Sequence, residues 1–221
     1  MSGRVARAAA ILTAALALSA PTLAQTAPPP AILPFDYYVL TLSWSPGFCD
    51  LGGDEKSPQQ CASPSSEGFV VHGLWPNNQR SENPQDCDPD ADVSPADLAA
   101  VNGLYPTSGL ALHEYVAHGT CTGLRAADYF AAVAYARDQI HIPPAFTASG
   151  GEQRLSPDEV EQAFIAVNPN LTPDNMAVTC VRGELLDMRF CLSRNLKAFS
   201  LCPKVSGHSC RRASLLLHRP G

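Results

Sequence analysis

Met176-Ala-Val-Thr-Cys-Val-Arg-Gly-Glu-Leu-Leu-Asp-Met-Arg-Phe-Cys-Leu192 is where the chain changes period. Leu186, Met188, Phe190 and Leu192 alternate with Asp187, Arg189 and Cys191, the twofold repeat of a strand with one face in a core and the other polar. Val178 to Val181 precedes this run, and Arg182-Gly183-Glu184 between them supplies a turn. The stretch therefore predicts an antiparallel hairpin, with Cys191 in its polar row and free to cross-link.

Toward the N-terminus the period becomes helical. Ser156-Pro157-Asp158-Glu159 is a capping box with proline at the first helical position, and Val160, Ala163, Phe164 and Val167 then share one face. Ala126 to Gln139 is alanine-rich, with Tyr129, Phe130, Val133 and Ile140 near helical spacing as core residues. Ser94-Pro95-Ala96-Asp97 opens a short helix. Farther upstream, Phe35 to Trp44 reads as a strand followed by a Ser45-Pro46-Gly47 turn. Gly68 to His72 reads as a second strand, ending at the histidine before a Gly and Pro turn. Asp50 to Glu67 and Asn78 to Ser94 are loops by composition. Strand, strand, helices, then strands is the order of an α+β fold, helices packed on an antiparallel sheet.

Met1 to Ala24 carries Arg4 and Arg7, an apolar run from Ala8 to Ala20 and a small-residue cleavage site, which is the pattern of a secretory signal peptide. The run is shorter than the roughly 20 residues a spanning helix needs, so no membrane association is expected. A proline-rich lead, residues 25–34, then precedes one domain over 35–221. Without the leader, 13 basic residues stand against 21 acidic ones, a net charge of −8. That sign excludes nucleic-acid binding by general electrostatics, so any such contact is local. Eight cysteines behind a signal peptide predict four disulfides, although the sequence alone allows 105 connectivities. Asn170-Leu171-Thr172 is a glycosylation sequon.

Chemistry concentrates in HEYVAHGTC, His113 to Cys121. A zinc-protease helix spaces its histidines four apart, but His113 and His118 are five apart, about 140° around a regular helix, which does not suit one metal ion. Glu114 is the residue at i, i+4 from His118, and a carboxylate beside an imidazole orients it and raises its proton affinity. HGLWPNN, His72 to Asn78, precedes this stretch by about forty residues, and SWSPGFC, Ser43 to Cys49, precedes both. Together these segments resemble the active-site segments of the T2 family of ribonucleases, from about Phe35 to the C-terminal cysteines.

The resemblance implies an α+β, disulfide-stapled endoribonuclease that cleaves single-stranded RNA through a 2′,3′-cyclic phosphate. It implies no metal, no cofactor and a monomer in the periplasm or outside the cell. By the same resemblance His118 is the base and His72 the acid, while His113 and Glu114 position the phosphate. Trp75 and Asn77 hold a base, although Trp75 in a Leu-Trp-Pro setting also suits a partly buried core residue. The implied disulfides are Cys49 with Cys61, Cys87 with Cys121, Cys180 with Cys210, and Cys191 with Cys202. Because the nucleophile is the 2′-OH of RNA, DNA is expected to be inert.

Two positions depart from the family pattern H-E-W-x-K-H-G-T-C. Tyr115 replaces the tryptophan, and Ala117 replaces the lysine that would neutralise the phosphate. The enzyme is then slow for its family unless Arg80 or Arg125 substitutes for that lysine. Two other readings stay open: a catalytically weakened RNA-binding or toxin-like relative, and a zinc hydrolase.

Overall fold

The computed structural model describes residues 34–62, 68–147 and 151–218. The leader, and the proline-rich lead up to residue 33, lie outside the described residues, as do residues 63–67 of the first loop.

Among the described residues, six strands form one sheet. Strand β1 (Tyr37–Trp44) lies between β2 (Phe69–Asn77) and β5 (Glu184–Ser193). Strand β4 (Met176–Val181) also pairs with β5, and the order runs β2-β1-β5-β6-β3, with β3 at Gln153–Leu155 and β6 at Leu215–Leu217. The sheet is antiparallel in every pairing but one. Strands β5 and β6 run parallel where Glu184 meets Leu216. The hairpin read from the sequence is present as β4 and β5. Arg182 and Gly183 turn it with φ of 52° and 93°, and two such residues in succession match the twist of the flanking strands.

All eight residues of β1 are buried. Its even row, Tyr38, Leu40, Leu42 and Trp44, joins Met188, Phe190 and Leu192 of β5 in the main core. Helix α4 (Ala126–Asp138) adds Tyr129, Phe130 and Val133 to that core, and α5 (Pro157–Val167) adds Val160 and Phe164. The Ser156 capping box opens α5 as expected, Ser156 and Glu159 each accepting from the other's backbone N–H. The remaining helices are α1 (Ser45–Asp50), α2 (Pro95–Ala99), α3 (Ser108–Ala117) and α6 (Pro203–Ser206).

The odd row of β1 looks the other way. Val39, Thr41 and Ser43 stand opposite Cys191, Arg189 and Asp187 of β5. Cys191 is fully buried here with Tyr37, Val39 and Cys202, against Trp75 and Val205. The sequence placed it on the polar face, free to cross-link. Its disulfide to Cys202 draws the segment after β5 over that face and closes it.

Two turns read from the sequence are regular elements instead. Ser45-Pro46-Gly47 begins α1, because a proline in the first turn gives up no helical hydrogen bond. Strand β2 does not end at His72 but continues through Pro76 to Asn77. Among the described residues it is the edge of the sheet, paired with β1, and an edge strand tolerates a missing N–H.

The four disulfides are Cys49–Cys61, Cys87–Cys121, Cys180–Cys210 and Cys191–Cys202, the pairing the family resemblance implies. No helix among the described residues is long and apolar enough to cross a membrane.

Candidate active site

The site is assembled where α3 packs against β2. Gly73 pairs with Thr41 and Val71 with Leu42, which leaves His72 as the unpaired residue of a β-bulge. A bulge re-aims the side chain it carries, and the His72 ring meets the Trp75 ring edge-on at 5.4 Å between centroids.

Helix α3 begins at Thr107, whose Oγ1 accepts from the Leu110 N–H at 3.0 Å. It ends at Ala117 rather than running through the motif. His118 is its C-cap, at φ −127° and ψ −43°, and a 3-10 turn from Gly119 to Thr122 follows. The angular argument for a regular helix therefore stops one residue short of His118. Its ring lies 5.4 Å from that of Trp75. The Cys87–Cys121 disulfide and the Asp86 N–H, which donates to the Ala117 carbonyl at 2.8 Å, tie this helix end to the loop after β2.

Glu114 is a buried carboxyl of the site. The sequence paired it with His118, but its carboxyl oxygens meet residues of β2. Trp75 Nε1 donates to Oε2 at 2.6 Å, and His72 Nε2 stands 3.6 Å from Oε1. The reason is local: an i, i+4 pair needs both residues on the helix, and His118 has left it. This contact also requires Gly73, since a Cβ there would collide with the Glu114 carboxyl and the indole nitrogen. Burial pushes the Glu114 carboxyl up to about 7, against the lowering effect of the Trp75 hydrogen bond.

Both candidate acid/base histidines have lowered proton affinity, not the raised affinity the sequence suggested for His118. Burial pulls His118 down to about 4, helped by the charge of His113 and opposed by Asp86. Burial also lowers His72, with Asp187 opposing it and Arg189 and His113 adding to it. His113, exposed on α3, thus acts on both rings.

His72 and His118 line two different cavities. One, of about 520 Å³, is lined by His72, Asp187, Gln60, Phe48 and the cations Lys56 and Arg182. The other, of about 260 Å³, is lined by Trp75, Asn77, His118 and Arg189. The structure therefore brings His72, Trp75, Asn77, His113, Glu114 and His118 into one neighbourhood. It does not bring in Arg80 or Arg125. Arg80 lies in a separate shallow depression with Asp36, and exposed Arg125 pairs with Asp128 at 3.0 Å.

Sequence reasoning assigned no role at the site to Asp187 and Arg189, which reach it from the row of β5 read as the polar face. Two opposite charges at i, i+2, directly across an apolar row, were the available signal.

A sequence model described as the Ribonuclease T2 family matches residues 35–202. A protein of Haemophilus influenzae called a probable ribonuclease is 35% identical over 164 residues, 69% of this chain and 57% of that protein. An Aeromonas hydrophila ribonuclease is 42% identical over 95 residues, 43% of this chain and 41% of its own. The chain thus spans about half the length of these two relatives. The crystal structure of a Nicotiana alata self-incompatibility-associated ribonuclease has the same fold, with a TM-score of 0.63 at 20% identity, covering 84% of this chain and all of the other. The segments that build the site, β2 and the end of α3, lie inside the matched region, and the chain belongs to the ribonuclease T2 family.

Proposed function

We propose that the protein is an endoribonuclease that cleaves single-stranded RNA without a metal ion, by transesterification through a 2′,3′-cyclic phosphate. The observation that carries this reading is the convergence of His72 and His118, from separate segments, on one indole ring, each with its centroid 5.4 Å from that of Trp75. His118, held unprotonated by its lowered proton affinity, takes the 2′-OH proton. The 2′ oxygen bonds to phosphorus as the bond to the 5′ oxygen breaks, and His72 gives its proton to that leaving oxygen. His113 and Glu114 position the phosphate, with Glu114 uncharged below about pH 7 so that it does not repel the anion. Trp75 and Asn77 line the smaller cavity, where a base is held. Four disulfides fit an oxidising compartment, and we place the protein in the periplasm or outside the cell, as a monomer.

A catalytically weakened, RNA-binding relative is the second reading, favoured by the methyl group at Ala117. A zinc hydrolase is the third. Among the described residues, the group with three ligand atoms within 4.8 Å of one another is Asp50, Glu184 and His218, which includes none of the site histidines. RNA cleavage measured with EDTA present separates the three. Cleavage that persists supports transesterification, absence of cleavage supports the binding protein, and chelator-sensitive cleavage supports the metal enzyme. DNA of the same sequence is expected to be inert, and cleavage of it at a comparable rate would rule out the 2′-OH mechanism.

A further inference from the structure

Arg189 projects from the middle of the sheet toward the site. It is paired across to Thr41 on β1 and to Ala177 on β4. Its guanidinium carbon is 5.6 Å from the centroid of Trp75, the ring that stands 5.4 Å from both His72 and His118. It lines the smaller cavity together with His118, Trp75 and Asn77. This cation is only loosely committed to other protein groups. Its contact with Asp187 is long, Nη2 to Oδ2 at 4.0 Å, and Asp187 is itself held by the Thr179 hydroxyl at 3.2 Å. The Arg189 Nε is buried without a hydrogen-bonding partner. Rigid strand backbone holds this donor at the site before substrate arrives, which is the condition under which such a group stabilises developing charge.

We propose that Arg189 is the cation that meets the reacting phosphate, donating to a non-bridging oxygen as negative charge builds on the phosphorane and standing in for the ammonium that Ala117 cannot supply. It transfers no proton. The 2′-OH proton still goes to His118 and the leaving oxygen still takes one from His72. The place of Arg189 over Trp75, 5.6 Å from the ring centroid, keeps the guanidinium at the site. This rests on the proposed RNA-cleaving reaction and adds a residue to it.

The test measures kcat and KM on RNA dinucleotides, including phosphorothioates with sulfur at either non-bridging oxygen. The proteins are wild type, Arg189→Ala, Arg189→Lys, Ala117→Lys and the double variant Arg189→Ala/Ala117→Lys, each checked for fold by circular dichroism. Arg189→Ala should lower kcat by about 10²–10³ with little change in KM, as losing one preorganised donor does. Arg189→Lys, which keeps the charge, should fall in between. Ala117→Lys should do little in the wild type, but should recover kcat at least about tenfold in the Arg189→Ala background. Sulfur at the contacted oxygen should slow the wild type, and Arg189→Ala should lose that discrimination. If wild type cleaves RNA and folded Arg189→Ala keeps kcat within about threefold of it, the proposal is overturned. A slow Arg189→Ala with no rescue from Ala117→Lys and an unchanged sulfur effect overturns it as well, by showing a structural role. A wild type that cleaves no RNA sinks the reaction itself, a distinct failure that takes Arg189 with it.

Discussion

On the helix side of the sheet, Leu40, Leu42, Met188 and Phe190 pack against Phe164 and its neighbours, and the sheet does nothing there but hold together. One residue along the same strands, on the other side, Thr41, Ser43, Asp187 and Cys191 are buried too, with Arg189 half buried among them. The first face gains stability from apolar area removed from water. The second buries hydroxyls, a carboxyl and part of a guanidinium instead, so less of its area gives that gain. Burial at the site raises the proton affinity of Glu114 and lowers that of His118 and His72, which frees His118 to act as a base and confines the proton His72 must donate to lower pH. Substitutions on the two faces should therefore separate stability from rate.

The largest separation is expected at the histidines. His72→Ala and His118→Ala should each lower single-turnover cleavage by about 10²–10⁴, up to roughly 5.5 kcal/mol of barrier, while leaving the fold intact. The pH dependence of kcat/KM, which reports the free enzyme, sharpens this. The rate should rise with pH through about 4 as His118 gives up its proton. It should fall again below the ordinary histidine value as His72, also lowered, loses the proton it must donate. An optimum above pH 7 would mean that these two groups are not the acid and base, as would either variant keeping most of the wild-type rate.

The opposite outcome is expected on the helix side. Phe164 is fully buried and its ring lies between 5.3 and 5.7 Å from those of Phe69, Phe146 and Phe190. Phe164→Ala should lower the free energy of unfolding by about 3–5 kcal/mol in urea titrations, with kcat per folded molecule unchanged. A matching fall in kcat would show that the two faces are mechanically coupled.

How far the sequence could be read divides along the same line. The apolar row of β5, the Ser156 capping box and the face of α4 announce themselves because core packing enforces a period. His72, Trp75, Asn77, His113, Glu114 and His118 were legible as a motif pair resembling a family, which also implied the four disulfides. Their contacts were not legible. The bulge that frees His72 depends on register with β1. The Glu114 partner depends on where α3 stops, and the alternating pattern of β5 cannot reveal that a disulfide covers its polar row. Asp187 and Arg189 were consequently read only as the polar row of a strand, and the substitute for the missing lysine was sought at Arg80 and Arg125, in loops near the motifs.

The smallest of these effects is the most direct measure of what burial does on the active face. The Glu114 carboxyl ionises near its ordinary value in the unfolded chain, but at about 7 in the folded one. The folded state therefore holds a proton that the unfolded state has already released across pH 4.5 to 7. Stability from this group is fully present below about pH 4.5 and is lost as pH rises through 7. At pH 8 the buried charge should cost on the order of 3 kcal/mol. Glu114→Gln keeps an oxygen to accept from Trp75 Nε1 and carries no charge at any pH, so it should be more stable than wild type at pH 8 and nearly equal to it at pH 4.5. Unfolding free energies at the two pH values check this, and the same variant should cleave RNA more slowly because it loses the group that positions the phosphate. Should Glu114→Gln be less stable than wild type at pH 8, the carboxylate is stabilised there by a cation, and protonated His72, 3.6 Å away, would be the group responsible. In that case the active face would resemble a buried ion pair, and His72 would hold its proton well above the pH range expected of it here.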